Sequence, residues 1–207
     1  MALQSYALTT VARLKTFMGV DVATHDTLLE RLVGSVSDFV EKYCDRRFLS
    51  TAYSNQVYNG NGRNVLVLKQ FPVVNGQTFT LQRRDSLDNQ SSFSTIQSQD
   101  YFVEESAGIV TYVSGRFIQY PQHYRITFTA GYAFDNTTPG ATLESVGIGD
   151  LEYAVWKLCQ KAFDQRRQAS NVESESIGDY SITLRKTVMV DDEVREILDK
   201  YRRAYEH

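Results

Sequence analysis

Hydrophobic and polar positions follow two different periods along this chain. Near the N-terminus, apolar residues recur every three to four positions, which is typical of amphipathic helices. The clearest stripe consists of Leu28, Leu29, Leu32, Val33, Val36, Phe39, Val40 and Tyr43. A shorter stripe before it ends at Gly19, a residue that favours a helix C-terminus. We therefore predict two helices, the first capped by Thr9 or Thr10 and the second opened by Asp26 or by a Thr27–Glu30 capping box.

Helical periodicity stops between about Thr51 and Phe134. Short β-branched and aromatic runs alternate there with turn residues, which predicts strands. The stretch Asn59–Gly62 predicts a hairpin between its flanking apolar runs, and the polar stretch Ser86–Ser98 predicts a solvated loop. Alternation places most aromatic residues of this zone in a core, among them Tyr101, Phe102, Tyr112 and Phe128.

The helical period returns from Gly149–Asp150 onward. A loop is predicted over Arg166–Ser176 and an extended arm or short strand over Tyr180–Leu184. Acidic residues Asp191–Glu193 open a last helix, since negative charge is favoured at a helix N-terminus. Its apolar stripe is Val194, Ile197, Leu198, Tyr201 and Tyr205.

These zones predict an α+β fold. Helices from both chain ends, about four in number, form a small bundle over residues 1–49 and 135–207, with a C-terminal arm and helix. Residues 50–134 form an inserted antiparallel β-domain of six or so strands, as a small sandwich or barrel.

Composition narrows the class of protein. The chain has 207 residues, with 22 Lys and Arg against 25 Asp and Glu, for a net charge of −3. This balance argues against a dedicated nucleic-acid binder. Cys44 and Cys159 fall in apolar helical patterns, which predicts two buried free thiols and a reducing compartment. No apolar run approaches the length that crosses a bilayer.

Candidate catalytic and ligand-binding residues are few. The three histidines, His25, His123 and His207, lack a second spaced pair of metal ligands. Ser114 lacks the flanking residues of a nucleophile elbow, and Asn59–Gly62 lacks the Lys-Ser/Thr of a phosphate loop. The residues therefore predict no catalytic site, metal or cofactor, and indicate a scaffold or interaction protein.

The order of motifs at the two ends is more specific. Leu8–Val20 is a short helix that ends in a Met-Gly turn, Asp26–Val33 is an Asp-x-Leu-Leu helix start, and Phe39–Phe48 ends in Tyr-Cys-x-Arg-x-Phe. This order resembles the head–tail connector proteins, also called adaptor or head-completion proteins, of tailed bacteriophages. Arg125–Tyr132 is similar to the strand that returns the chain to the helical bundle in that family.

The resemblance implies a structural virion protein without enzymatic activity or cofactor. Such a protein forms a ring, usually of twelve copies, beneath the portal of the capsid, extends the DNA channel, and offers a docking face to a stopper or tail protein. Double-stranded DNA would pass through the lumen without sequence-specific binding. The expected location is the neck of the virion, and the host cytoplasm during assembly. The alternative is another tail or baseplate module whose β-domain binds protein or sugar.

In that family the C-terminal arm and helix engage the portal, which here corresponds to roughly Ser181–Tyr205. The resemblance thus predicts an interface with the portal or a neighbouring subunit, formed by Val194, Arg195, Ile197, Leu198, Lys200, Tyr201, Arg202, Arg203 and Tyr205. The alternative is that this helix only completes the core of its own subunit.

Overall fold

The computed structural model describes residues 4–21, 23–87, 92–135, 142–170 and 190–203. Over these residues the chain forms four α-helices and seven β-strands, which confirms the α+β class. They are α1 (Val11–Met18), α2 (Asp26–Cys44), β1 (Thr51–Tyr58), β2 (Val65–Val67), β3 (Thr80–Arg84), β4 (Phe93–Thr95), β5 (Tyr101–Glu104), β6 (Ile109–Tyr112), β7 (Tyr124–Ala130), α3 (Gly149–Ser170) and α4 (Asp192–Tyr201).

The chain divides into two compact units. Met1–Arg46 and Ala133–Arg202 form one of them, called the helical unit below. Arg47–Tyr132 forms the main part of the other, called the β unit below. The predicted loop over Arg166–Ser176 is helical as far as Ser170, and its remainder and the arm over Tyr180–Leu184 lie outside the described residues.

The ends of α1 follow the sequence prediction. Thr10 is the N-cap, and its hydroxyl accepts a hydrogen bond from the Arg13 backbone N–H at 3.3 Å. Gly19 closes the helix in the left-handed conformation, with φ of 66°. Both predicted caps of α2, Asp26 and the Thr27–Glu30 capping box, are wrong. A short 3₁₀ turn leads directly into α2, so that His25 is the N-cap and both Asp26 and Thr27 already lie inside the helix.

The apolar stripes of α2, α3 and α4 meet in the core of the helical unit. Fully buried side chains include Leu29, Val33 and Val40 of α2, Leu151 and Val155 of α3, and Val194 and Leu198 of α4. Both cysteines are free and buried, as predicted. Burial raises the pKa of the Cys44 thiol to about 12 and also raises that of Cys159.

The β unit contains two antiparallel sheets, of order β1-β7-β3-β4 and β2-β6-β5. Their inner faces supply one hydrophobic core, to which Leu66 and Val110 come from the three-stranded sheet and Leu81, Ile126 and Phe128 from the four-stranded sheet. The arrangement is that of a small sandwich.

The hairpin predicted at Asn59–Gly62 is wrong. β1 pairs with β7 and β2 pairs with β6, so this segment carries the chain from one sheet to the other. The Gly60 N–H donates to the Tyr120 carbonyl at 3.0 Å. A Cβ atom on Gly60 would lie 1.7 Å from the carbonyl oxygen of Ile118. Close approach of two backbones, rather than a turn type, is therefore what requires glycine here.

The solvated loop predicted over Ser86–Ser98 is wrong in part. It contains the short strand β4, whose Phe93 lies opposite Arg84 of β3. Phe71–Val74 lies beside β7 without forming a strand: Val73 makes an isolated bridge with Ala130, and the Val74 N–H donates to the Thr129 carbonyl at 2.9 Å.

Candidate interaction surfaces

The surroundings of His123, in the β unit, do not suit a catalytic or metal-binding role. His123 is buried between the rings of Tyr120 and Tyr124, and neither of its ring nitrogens has a hydrogen-bond partner. Burial, with Arg83 and Arg84 nearby, lowers its pKa and keeps it neutral. Within the described ranges, no group of three or more His, Cys, Asp or Glu could hold a metal ion.

The described helices include none that is long and apolar enough to cross a membrane. Two regions of the surface are candidates for contact with partner proteins. One is α4 in the helical unit, and the other is the outer face of the three-stranded sheet in the β unit.

Ion pairs fasten the N-terminal end of α4 to α3. Lys161 Nζ lies 2.6 Å from Asp191 Oδ1, and Lys157 Nζ lies 3.0 Å from Glu193 Oε2. The hydrogen bond from Lys161 lowers the pKa of Asp191, and the hydrogen bond to Glu193 raises the pKa of Lys157. The acidic residues at the start of α4 are thus paired with lysines of α3 in the same subunit.

The described residues of the interface predicted on and after α4 are of three kinds, namely buried, exposed and half-buried. Val194 and Leu198 are buried in the core of the helical unit, and the Cys44 thiol donates to the Leu198 carbonyl at 3.5 Å. These two side chains are occupied within the subunit. The exposed residues of the set are Arg195, Lys200 and Arg202, and the half-buried ones are Ile197, Tyr201 and Arg203. Tyr205 lies outside the described residues.

The outer face of the four-stranded sheet is polar. Strand register places Thr80, Gln82, Thr95, Arg125 and Thr127 on this face. Phe93, two residues before Thr95, lies on the same face. Its ring is covered by the guanidinium groups of Arg84 and Arg125, whose Cζ atoms lie 4.5 and 3.9 Å from its centroid.

The outer face of the three-stranded sheet is apolar. Val65, Thr111 and Phe102 lie side by side in one row of this face, and Val67, Ile109 and Glu104 lie in the next. Val113 follows Thr111 by two residues and extends the same face. Phe102 and Val113 are 64% and 69% exposed. We call Val65, Val67, Phe102, Ile109 and Val113 the apolar face.

The prediction that Phe102 belongs to the core is therefore wrong. Tyr101 and Val103 point toward the core instead, because neighbouring residues of a strand face opposite sides. Tyr112 packs against the core and Phe128 is buried in it, as predicted. Strict alternation applied to the run Tyr101–Glu104 was the signal that could have shown Phe102 on the outside.

A cleft of about 570 Å³ borders the apolar face at Val65 and Val113. Its polar lining includes Arg63, Asn64, Tyr112 and Arg116. Two guanidinium groups beside exposed apolar side chains suit a partner surface that is both apolar and acidic.

The model of the head completion protein family matches residues 7–204, and the chain belongs to that family. Membership confirms the family that the sequence resembles and makes this a structural protein of the virion. No curated protein matches the chain.

Solved structures with a similar fold come from gene transfer agent (GTA) particles. A chain of the virion of the native GTA particle shares 15% identity with a TM-score of 0.52, covering 100% of this chain and 95% of that one. A chain from the neck of the native particle, computed with C12 symmetry, shares 13% identity with a TM-score of 0.51, covering 100% and 94%. A chain from the neck of the empty particle, computed with C6 symmetry, shares 15% identity with a TM-score of 0.51, covering 100% and 95%.

Proposed function

We propose that this protein is a ring-forming adaptor in the neck of the virion. It docks beneath the capsid portal, extends the DNA channel and offers the attachment surface for the stopper or tail. The observation that carries the proposal is the family match over residues 7–204, which spans both the helical unit and the β unit. The protein is located in the host cytoplasm during assembly.

The symmetry of the similar structures supports a ring. Two of them are chains from GTA necks computed with C12 and C6 symmetry. A closed ring requires that each subunit present two different patches, one to each neighbour. We propose twelve copies of this chain, arranged in that way.

The charge of the chain suits a DNA channel. Its net charge is −3, so repeated copies around a ring produce a summed negative field. Such a field disfavours adhesion of the phosphate backbone to the channel wall. Double-stranded DNA would therefore pass without sequence-specific binding.

The portal contact is assigned to the outward side of α4 and the residues after it. Arg195, Lys200 and Arg202 supply exposed charges, while Ile197 and Tyr201 supply partly accessible apolar surface. Arginine and aromatic residues are common anchors of protein interfaces. Val194 and Leu198 contribute indirectly, because their burial holds α4 in position.

A pair of charge reversals tests this assignment. Truncation after Val190 would remove Val194 and Leu198 from the core and unfold the helical unit, so surface substitutions are more informative. We expect Arg195→Glu with Lys200→Glu to weaken co-sedimentation with purified portal by about tenfold or more. The matched control is Arg31→Glu at an exposed position of α2, which should bind as the wild type does. Equal binding by all three proteins would contradict the assignment.

A further inference from the structure

The two outer faces of the β unit differ in chemistry although they belong to one sandwich. The four-stranded sheet presents mainly threonine, glutamine and arginine with one exposed valine, and the ring of Phe93 is covered there by two guanidinium groups. The three-stranded sheet presents valine, isoleucine and phenylalanine beside Thr111 and Glu104, with Phe102 and Val113 about two-thirds exposed. An antiparallel sheet that faces water on one side normally carries polar residues there.

The fold itself does not need the apolar face. The opposite side of the same strands already supplies the core through Leu66 and Val110, which are 2% and 0% exposed. Phe102 and Val113 expose apolar area that the core does not use, and Val65, Val67 and Ile109 beside them are half-buried. Exposed apolar area of this kind, rimmed by polar residues, makes the apolar face a candidate docking surface.

The distribution of charge indicates which partner covers it. Residues 47–132 carry seven Lys and Arg against five Asp and Glu, a net charge of +2. Since the whole chain carries −3 and residues 203–207 are neutral in sum, the helical unit carries −5. Arg63 and Arg116 stand in the cleft at the border of the apolar face, so the positive charge of the β unit is present where docking would occur.

The apolar face is too small to be a complete interface, so it can form only the apolar centre of one. Three strands of three or four residues, spaced about 4.8 Å apart, present roughly 200 Å². A stable interface buries about 800 Å² on each partner, with a polar rim around an apolar centre. The cleft with Arg63 and Arg116 provides part of that rim on one side.

We propose that the apolar face and its cleft contact the acidic helical unit of the next copy of this chain in the ring. The proposal rests on the ring of the proposed function and names one of its two subunit contacts. It pairs two different surfaces, the apolar face with its two neighbouring arginines on one copy and the helical unit, of net charge −5, on the next, as a closed ring requires. Electrostatic complementarity of this kind fixes the direction in which subunits follow one another.

Site-specific cross-linking in the assembled neck tests the contact. A Val113→Cys variant carries a thiol-attached photo-cross-linker, while the two native thiols stay unlabelled because both are buried. The labelled full-length protein is assembled on purified portal and irradiated, and the cross-linked peptides are sequenced. We expect cross-links from position 113 to residues 1–46 or 133–202 of another copy.

A matched pair of variants gives a second readout. Phe102→Thr with Val113→Thr places threonine, which strands tolerate well, at both positions and removes the two exposed side chains of the apolar face. The variant should reduce ring occupancy on the portal by about tenfold or more. Val57→Thr changes an exposed valine on the outer face of the other sheet and should leave ring occupancy unchanged. Both variants should melt at the temperature of the wild type, since they alter exposed residues.

The outcomes separate this contact from the proposed function. A portal-bound layer whose cross-links from position 113 end on the portal, on a tail protein or on the β unit of a neighbour would overturn the inference and leave the adaptor role standing. Equal ring occupancy for the Phe102→Thr/Val113→Thr and Val57→Thr proteins would overturn it as well. Absence of any layer with the wild-type protein would overturn both.

Discussion

Arg13 of α1 and Glu152 of α3 form a bidentate ion pair, in which the Arg13 Nε and Nη2 atoms each lie 2.8 Å from a different carboxylate oxygen of Glu152. Glu152 is 1% exposed, and its Oε1 also accepts a hydrogen bond from the Thr9 hydroxyl at 2.8 Å. The indole N–H of Trp156 donates in turn to that hydroxyl at 2.8 Å. This network fixes the first helix of the bundle to the third.

We expect Arg13→Met to destabilise the protein by about 3–5 kcal/mol, because it leaves the Glu152 carboxylate buried without its charged partner. Urea unfolding followed by circular dichroism measures the change. The control is Arg195→Met, which removes an exposed pair with Asp192 and should cost at most about 0.5 kcal/mol. Similar losses for the two variants would show that the network does not hold α1 to α3.

Substitution by alanine should destabilise the protein at Gly60 and stabilise it at Gly34. Gly60→Ala places a Cβ atom 1.7 Å from the Ile118 carbonyl oxygen, so that the backbone must move, and we expect a loss of about 3 kcal/mol or more. Gly34→Ala places a Cβ atom in open space within α2 and should stabilise the protein by about 0.5–1 kcal/mol. Thermal unfolding of the two variants checks the prediction, and a stable Gly60→Ala protein would contradict it.

His123 should make stability depend on pH below neutrality. Burial lowers its pKa in the folded protein below the ordinary value of 6.5, so that the unfolded chain binds a proton that the folded chain does not. Stability is therefore complete above pH 6.5 and falls as the pH decreases toward the folded pKa. The lowered pKa values of Asp85 and Asp191 act only below about pH 4.

Urea midpoints measured between pH 7.5 and pH 5 test this assignment. We expect His123→Phe, which keeps a ring between Tyr120 and Tyr124, to flatten the dependence in this window. An equal slope for the wild type and the variant would mean that another group is responsible.

Both thiols should be inert in the native protein. Burial keeps Cys44 and Cys159 protonated at neutral pH, and the thiolate is the reactive form. We expect no reaction with a disulfide reagent before unfolding and two equivalents after addition of denaturant. Rapid labelling of the folded protein would show that one of these thiols is accessible.

The helical unit could be predicted from the sequence because its signals are local and repeated. The stripe of α2 recurs through the whole helix, and Gly19 and Thr10 end and begin α1 as their conformational preferences require. The stripe of α4 was also correct from Val194 to Tyr201, while Tyr205 lies outside the described residues. Periodicity alone, however, could not tell which partner its apolar residues meet. The structure assigns Val194 and Leu198 to the subunit's own core.

The β unit was less predictable because strand pairing is not local. Asn59–Gly62 has the composition of a hairpin turn, but its glycines serve a close approach to a segment some sixty residues away in the chain. Phe102 stands in a continuous apolar run, in which composition does not show which side faces out. Of the candidate surfaces, the apolar face was therefore not predicted, whereas the interface on α4 stays a prediction from the family resemblance.

The central claim, a ring-forming adaptor beneath the portal, is tested most directly by imaging purified portal with and without this protein. The account predicts that addition of the protein produces one extra layer of twelve copies that shares the portal axis and leaves a central channel open. Portal particles that stay bare at saturating protein concentration, or a bound protein without rotational symmetry, would contradict it.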